Sequence, residues 1–144
     1  MVALALGNTS AEAMYREIAD ECSPRSADFA ACWARLLEFV AEPPELALSE
    51  DGLGESWVAE EAVASALYCV WRWPDDFAQT VLTAANTDGD SDSIACIAGG
   101  ISGALNGVEA IPAEWREQIE NSAMLHDLAD QLYQLASPVL IPNR

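Results

Sequence analysis

Residues 88–105 decide the fold, because an acidic run leads directly into an apolar segment of helical length: DGDSDSIACIAGGISGAL. The first six residues place aspartates at alternate positions, and the twelve that follow are apolar or small. Neighbouring carboxylates repel one another, so a sequence that sets them against a buried helix requires a bound cation or full solvation. A site built only from oxygen ligands favours Mg²⁺, Mn²⁺ or Ca²⁺ over zinc.

Two other interpretations start from the same acidic run. An EF-hand loop fits the aspartates, but its sixth and twelfth positions require Gly and Glu and hold Ser93 and Gly99 instead, so this interpretation fails. A solvated turn that caps the following helix fits as well, with Ser91 or Asp92 accepting free backbone N–H groups. The cap and the metal site both remain open from these residues alone.

The whole chain predicts helices and no sheet. Apolar residues recur at helical spacing, and no segment alternates apolar and polar residues with β-branched enrichment. Prolines and capping residues divide the pattern into six to seven helices, an all-α fold. The predicted helices cover residues 10–22, 26–41, 57–73, 75–86 and 92–106, a short one opened by Pro112, and 122–135 ended by Pro138; residues 42–55 form one long loop.

A row of small residues marks one face of the apolar helix. Gly99, Gly103 and Gly107 follow one another at four-residue spacing, and Ala95 continues the row. Each glycine inside a helix destabilises it by roughly 0.5–1 kcal/mol relative to alanine, so some contact must offset the loss. Close helix packing is the predicted compensation, and such packing would also fix the acidic turn before the helix.

The charge and the cysteine content limit which partners and which cellular location are expected. Six basic and 24 acidic residues give the 144-residue chain a net charge of −18, which repels nucleic acid and anionic membranes. The four cysteines form no Cys-x-x-Cys pair and indicate a reduced, cytoplasmic location. The N-terminus lacks the basic start of a signal peptide, and no apolar stretch is long enough to span a membrane. The single histidine, His126, is predicted to be structural.

Two segments carry a resemblance to a known family. One is residues 88–107 followed by IPAEW at 111–115, and the other is residues 53–69, LGESWVAEEAVASALYC. In their order and spacing they resemble the ADP-ribosylglycohydrolase family, whose C-terminal signature they follow closely over roughly residues 50–120. The resemblance implies an orthogonal helical bundle like the C-terminal half of that fold.

The resemblance also implies that part of the family's site is missing. Family members are typically about twice this length and build a two-metal site from both ends of the chain. The Gly-Asp segment, the Thr-Asp-Asp cluster and the Gly-rich phosphate loop of the N-terminal half do not occur here. We therefore predict a single all-α domain over residues 1–144 that corresponds to the C-terminal portion, with the N-terminal half absent.

The metal ligands implied by the resemblance are Asp90, Asp92 and Ser93, half of a site for Mg²⁺ or Mn²⁺. The family usually has Gly-Gly-Asp-Thr-Asp-Thr at this place. Here Asp88 replaces the first glycine and adds a negative charge, while Ser91 and Ser93 replace the threonines. A serine hydroxyl can ligate a metal as a threonine hydroxyl does.

The resemblance of the upstream segment implies a substrate contact at Gly54, Ser56 and Trp57, with Ser56 in place of a common second glycine. Trp57 can stack on a base or pack in the core, and its size favours the core. Glu60 and Glu61 are predicted to be first-turn residues that complement the helix dipole, although Glu60 could reach the site if the loop folds over it. No residue is assigned as catalytic.

The implied reaction is metal-assisted hydrolysis of the glycosidic bond in an ADP-ribosylated protein or a related ADP-ribose conjugate. The isolated chain is then expected to be incomplete or inactive, and the missing N-terminal half becomes a possible partner. The alternative is a catalytically inactive helical module that binds a nucleotide or a protein.

Overall fold

The computed structural model describes residue 7 and residues 9–140, with side chains as far as residue 135. Within these residues the backbone forms eight α-helices, two short 3₁₀ turns and no strand, so the predicted all-α class is confirmed. The helices are α1 (Ala11–Cys22), α2 (Ala27–Phe39), α3 (Pro44–Ala47), α4 (Ala59–Arg72), α5 (Phe77–Ala85), α6 (Ser91–Asn106), α7 (Ala113–Gln118) and α8 (Ser122–Leu140).

Side-chain caps explain where three of the helices begin. The Ser10 hydroxyl accepts the Ala13 N–H at 3.3 Å before α1, and the Ser26 hydroxyl closes the start of α2 in the same way. Asp76 accepts the Gln79 N–H at 2.9 Å before α5. Each cap satisfies one of the N–H groups that a helix start leaves free.

Three predicted boundaries were wrong. The loop predicted over residues 42–55 contains α3, which Pro44 opens because a missing N–H costs nothing at the first helical position. The helix predicted from residue 57 begins at Ala59. α8 continues past Pro138 to Leu140, because a proline this close to a helix end removes few hydrogen bonds.

The chain divides into two compact units, Met1–Ile111 and Pro112–Arg144. In the first unit α4 is central: eight of its residues are buried, and it contacts α2, α5 and α6. In the second unit α7 contacts α8, which carries exposed apolar side chains and the exposed His126. The single domain over residues 1–144 stays a prediction.

The glycine row of α6 lies against α5. A Cβ built on Gly99 would lie 3.4 Å from Cγ2 of Val81, and one on Gly103 would lie 3.7 Å from the Phe77 ring. Gly107, at φ +77°, ends the helix and donates its N–H to Gly103 O. The row therefore faces α5 as predicted, but at ordinary contact distances that leave room for a Cβ at Gly99 and Gly103, and nothing lies within 4 Å of a Cβ on Gly107.

A search of the described helices finds none that is long and apolar enough to cross a membrane.

Candidate metal and substrate site

The acidic turn ends in Asp90, the residue that precedes the first turn of α6. Its side chain makes no capping hydrogen bond, whereas Asp92 Oδ1 accepts the Ser93 N–H at 2.8 Å. Asp92 therefore accepts one of the free N–H groups, as the cap interpretation predicts.

The three predicted metal ligands lie together on this turn. The pKa of Asp90 is lowered from its ordinary value, chiefly by interaction with the Asp92 side chain and then by the Ser93 hydroxyl and backbone N–H. Since an ionised carboxylate cannot donate a hydrogen bond, the Asp92 contribution describes one proton shared between the two carboxyl groups, and the Ser93 hydroxyl and N–H are the donors that favour the charged form. Two carboxylates and one hydroxyl therefore lie at the start of α6.

The second family segment contacts this turn through its backbone. The Asp90 N–H donates to the carbonyl oxygen of Glu55 at 2.9 Å. A Cβ on Gly89 would lie only 2.0 Å from that same oxygen, so no larger residue fits there without movement. The tertiary structure therefore joins the two segments that carried the resemblance, although more than 30 residues separate them in the chain.

Gly54 and Ser56 shape the loop beside the turn. Gly54 has φ +96° and Ser56 has φ +65°, both in the left-handed region that favours glycine. Ser56 is 1% exposed, and its hydroxyl donates to the Ser65 hydroxyl at 3.1 Å. This conformation is one that glycine adopts without strain, so position 56 would suit glycine as well.

Glu61 reaches back from the first turn of α4 to this loop. Its Oε2 accepts the Ser56 N–H at 3.0 Å, and its carboxylate occupies the space beside Gly54. The sequence predicted only a dipole interaction for Glu61, and nothing in the sequence pattern signals the contact with the loop. Glu60 makes no hydrogen bond to the loop among the described contacts.

Trp57 is 67% exposed, so its predicted place in the core is wrong. The indole N–H donates to the Glu55 carboxylate at 3.1 Å. Because α4 begins at Ala59, Trp57 lies ahead of the helix and off its buried face. The ring is therefore open to a ligand beside the turn.

A cleft of about 590 Å³ lies next to the turn. Its lining contains no lysine or arginine; the acidic members are Glu45, Glu50, Glu55 and Asp88, and the others are Pro44, Leu48, Ser49, Gln79, Leu82, Thr83, Asn86, Thr87 and Gly89. The loop predicted over residues 42–55 supplies much of this wall. Its five acidic residues were the signal in the sequence, but they did not show which carboxylates face the cleft.

The donor set fits a hard divalent cation in part. The oxygens of Asp90, Asp92 and Ser93 are of the kind that Mg²⁺ and Mn²⁺ prefer. In the portion of the chain that the structure describes, no group of three or more His, Cys, Asp or Glu side chains is placed to hold a metal. These residues would therefore leave several coordination positions to water or to other groups.

The described residues define an all-α protein with an acidic turn at the start of α6. The chain belongs to the ADP-ribosylglycohydrolase family, whose model matches residues 1–139. No solved structure matches the chain.

Curated relatives carry hydrolase names. An ADP-ribosylarginine hydrolase Tri1 of Pseudomonas putida is 36% identical over 91 residues, 63% of this chain and 24% of the relative. An ADP-ribosylhydrolase ARH3 of Danio rerio is 34% identical over 93 residues, 58% of this chain and 25% of the relative. ARH3 of Homo sapiens is 31% identical over 110 residues, 69% of this chain and 30% of the relative. The chain thus spans about a quarter to a third of the length of these relatives.

Proposed function

We propose that this chain takes part in hydrolysis of the glycosidic bond between ADP-ribose and a protein side chain or a related conjugate. The observation that supports the proposal is that Asp90 and Asp92 lie at the start of α6, on a turn whose backbone the second family segment holds through Glu55. Family membership supports the reaction class, and the names of the relatives support an ADP-ribosylated substrate, with ADP-ribosylarginine as one example.

In this proposal Asp90, Asp92 and Ser93 hold Mg²⁺ or Mn²⁺. A bound divalent ion would supply Lewis acidity and a template for the ribose and the attacking water. The protein's own contribution is to hold the two carboxylates at fixed positions, through the Asp90 N–H bond to Glu55 and the close approach of Gly89. Fixed charges of this kind need no reorganisation during the reaction.

We further propose that the site is completed by residues outside this chain. Two carboxylates and one hydroxyl are too few to fill an octahedral metal site, and the chain spans only about a quarter of the P. putida relative. The remaining ligands would come from a segment equivalent to the family's N-terminal half, acting as a partner. Without it, the chain could still serve as an inactive module that binds a nucleotide or a protein.

Thermal unfolding with and without Mg²⁺ or Mn²⁺ tests the metal assignment. Metal that binds only the folded chain raises the free energy of unfolding by about 1.4 kcal/mol at ten times its Kd. We expect this gain in the parent chain and its loss when Asp90→Asn and Asp92→Asn are combined. Asp76→Asn, which removes an aspartate from the start of a different helix, is the matched control and should keep the metal response.

A pure capping role gives a different result. The double substitution would then lower stability by about 0.3–1 kcal/mol, and metal would have no effect on any variant. An unchanged melting temperature when metal is added to the parent would refute the metal assignment for this chain alone. Titration of ADP-ribose in the same samples separates the two functions, because an inactive nucleotide-binding module would bind it without metal.

A further inference from the structure

We infer that Glu61 is a positioning residue that clamps loop 54–56 and thereby holds the Asp90 turn in place. The inference rests on the proposed function only for the role of Asp90 as a ligand. The clamp itself follows from contacts within the described residues.

The first link is the grip of Glu61 on the loop. A Cβ on Gly54 would lie 2.4 Å from Cδ of Glu61 and 2.6 Å from each carboxylate oxygen, so the carboxylate packs directly on the glycine backbone. The Ser56 N–H donates to Oε2 at 3.0 Å. Gly54 and Ser56 both have positive φ. A loop in this conformation needs contacts that favour it over the alternatives.

The second link runs from the loop to the acidic turn. Glu55 lies between the two residues that Glu61 contacts, and its carbonyl oxygen accepts the Asp90 N–H at 2.9 Å. The same carbonyl lies against Gly89, where no Cβ would fit. Because the clamp fixes the residues on both sides of Glu55, it also fixes the oxygen that holds Asp90.

A simpler account makes Glu61 a first-turn acid that interacts only with the helix dipole. That account depends on charge alone and gives Glu60 the same role, since both residues lie in the first turn of α4. The clamp depends on reach, because the carboxylate must span from the helix to the loop. Length and charge can be varied separately at this position.

Amide hydrogen exchange at Asp90, followed by NMR, tests the clamp directly. Glu61→Asp keeps the charge but shortens the side chain by one carbon, so we expect the Asp90 amide to exchange at least fivefold faster than in the parent. Glu61→Gln keeps the length and an acceptor oxygen, so we expect exchange within twofold of the parent. Glu60→Asp and Glu60→Gln are the matched controls and should leave Asp90 unchanged.

The amide of Leu67, in the buried centre of α4, reports on unfolding of the whole unit. The clamp predicts faster exchange at Asp90 with little change at Leu67. Equal acceleration at both amides in Glu61→Asp, or an Asp90 rate within twofold of the parent, would overturn it. Acceleration in Glu61→Gln but not in Glu61→Asp would favour the dipole account and also overturn it.

A metal titration of the same variants separates this inference from the proposed function. If Asp90 is a ligand, Glu61→Asp should reduce the shift in melting temperature produced by Mg²⁺ or Mn²⁺. If the parent shows no metal response, the proposed ligand role of Asp90 fails, and the exchange rates still decide whether Glu61 holds the turn.

Discussion

Ser56 shows how a single residue can retain a strained conformation. Its φ of +65° would destabilise an ordinary residue by about 1–2 kcal/mol relative to glycine. Hydrogen bonds from its N–H to Glu61 and from its hydroxyl to Ser65 offset that strain in a buried site. Serine can therefore occupy a backbone conformation that ordinarily favours glycine.

Substitution of Ser56 should separate the cost of the backbone strain from the contribution of the hydroxyl hydrogen bond. Ser56→Ala keeps the strain and leaves the buried Ser65 hydroxyl without its donor, so we expect a loss of about 1–2 kcal/mol in the free energy of unfolding. Ser56→Gly loses the same hydrogen bond but relieves the strain, so its stability should stay within about 1 kcal/mol of the parent. Urea unfolding followed by circular dichroism measures both. An alanine variant as stable as the parent would contradict this balance.

At the scale of helices, the α5–α6 contact and the turn before α6 place different demands on glycine. At Gly103 an added methyl group would meet the Phe77 ring at an ordinary contact distance of 3.7 Å. At Gly89 it would meet backbone at 2.0 Å, which cannot be relieved by a side-chain rotation. The packing therefore leaves room for a larger residue at position 103, whereas it requires glycine at position 89.

Substituting alanine for each of these two glycines should change the free energy of unfolding in opposite directions. We expect Gly103→Ala to stabilise the chain by about 0.5–1 kcal/mol, because alanine is the better helix former and the space accepts it. We expect Gly89→Ala to destabilise it by about 1–3 kcal/mol, as overpacking does, and to break the Asp90 bond to Glu55. Thermal unfolding gives the order of stability. A destabilised Gly103→Ala variant would mean that α6 packs more tightly against α5 than the present distances indicate.

At the scale of the whole molecule, buried titratable groups link stability to pH. Burial raises the pKa of the Cys69 thiol to about 12, and burial likewise raises the pKa of Tyr68 to about 12. A raised pKa in the folded state means that the stabilisation is complete below the unfolded pKa, 9.0 for a thiol, and is lost as pH rises toward 12.

The free energy of unfolding should therefore fall at alkaline pH. Between pH 8 and pH 10 we expect a loss of about 1–2 kcal/mol, most of it from Cys69. Urea unfolding at a series of pH values measures the slope. Cys69→Ala is the control, because it removes the thiol and should make the slope above pH 9 shallower. An equally steep slope in that variant would assign the effect to other groups.

The purified chain alone should show little or no hydrolase activity. The reason is the partial donor set, two carboxylates and a hydroxyl, in a chain that spans about a quarter of the P. putida relative. Release of ADP-ribose from a peptide ADP-ribosylated on arginine, compared with that relative as the positive control, measures this. A rate close to that of the relative would show that the chain carries a complete site.

The sequence by itself determined the helical fold, most helix boundaries to within two or three residues, and the family. These features depend on near neighbours: caps such as Ser26 and Asp76, apolar spacing, and the residues of two short segments. Only the tertiary structure decided that Trp57 is exposed, that Glu61 reaches back to loop 54–56, and that Asp90 donates to Glu55. Both of these hydrogen bonds have a backbone group of loop 54–56 as one partner, and the bond to Asp90 joins residues far apart in the chain. A backbone carbonyl carries no sequence signature, so its partner is fixed only when the helices pack.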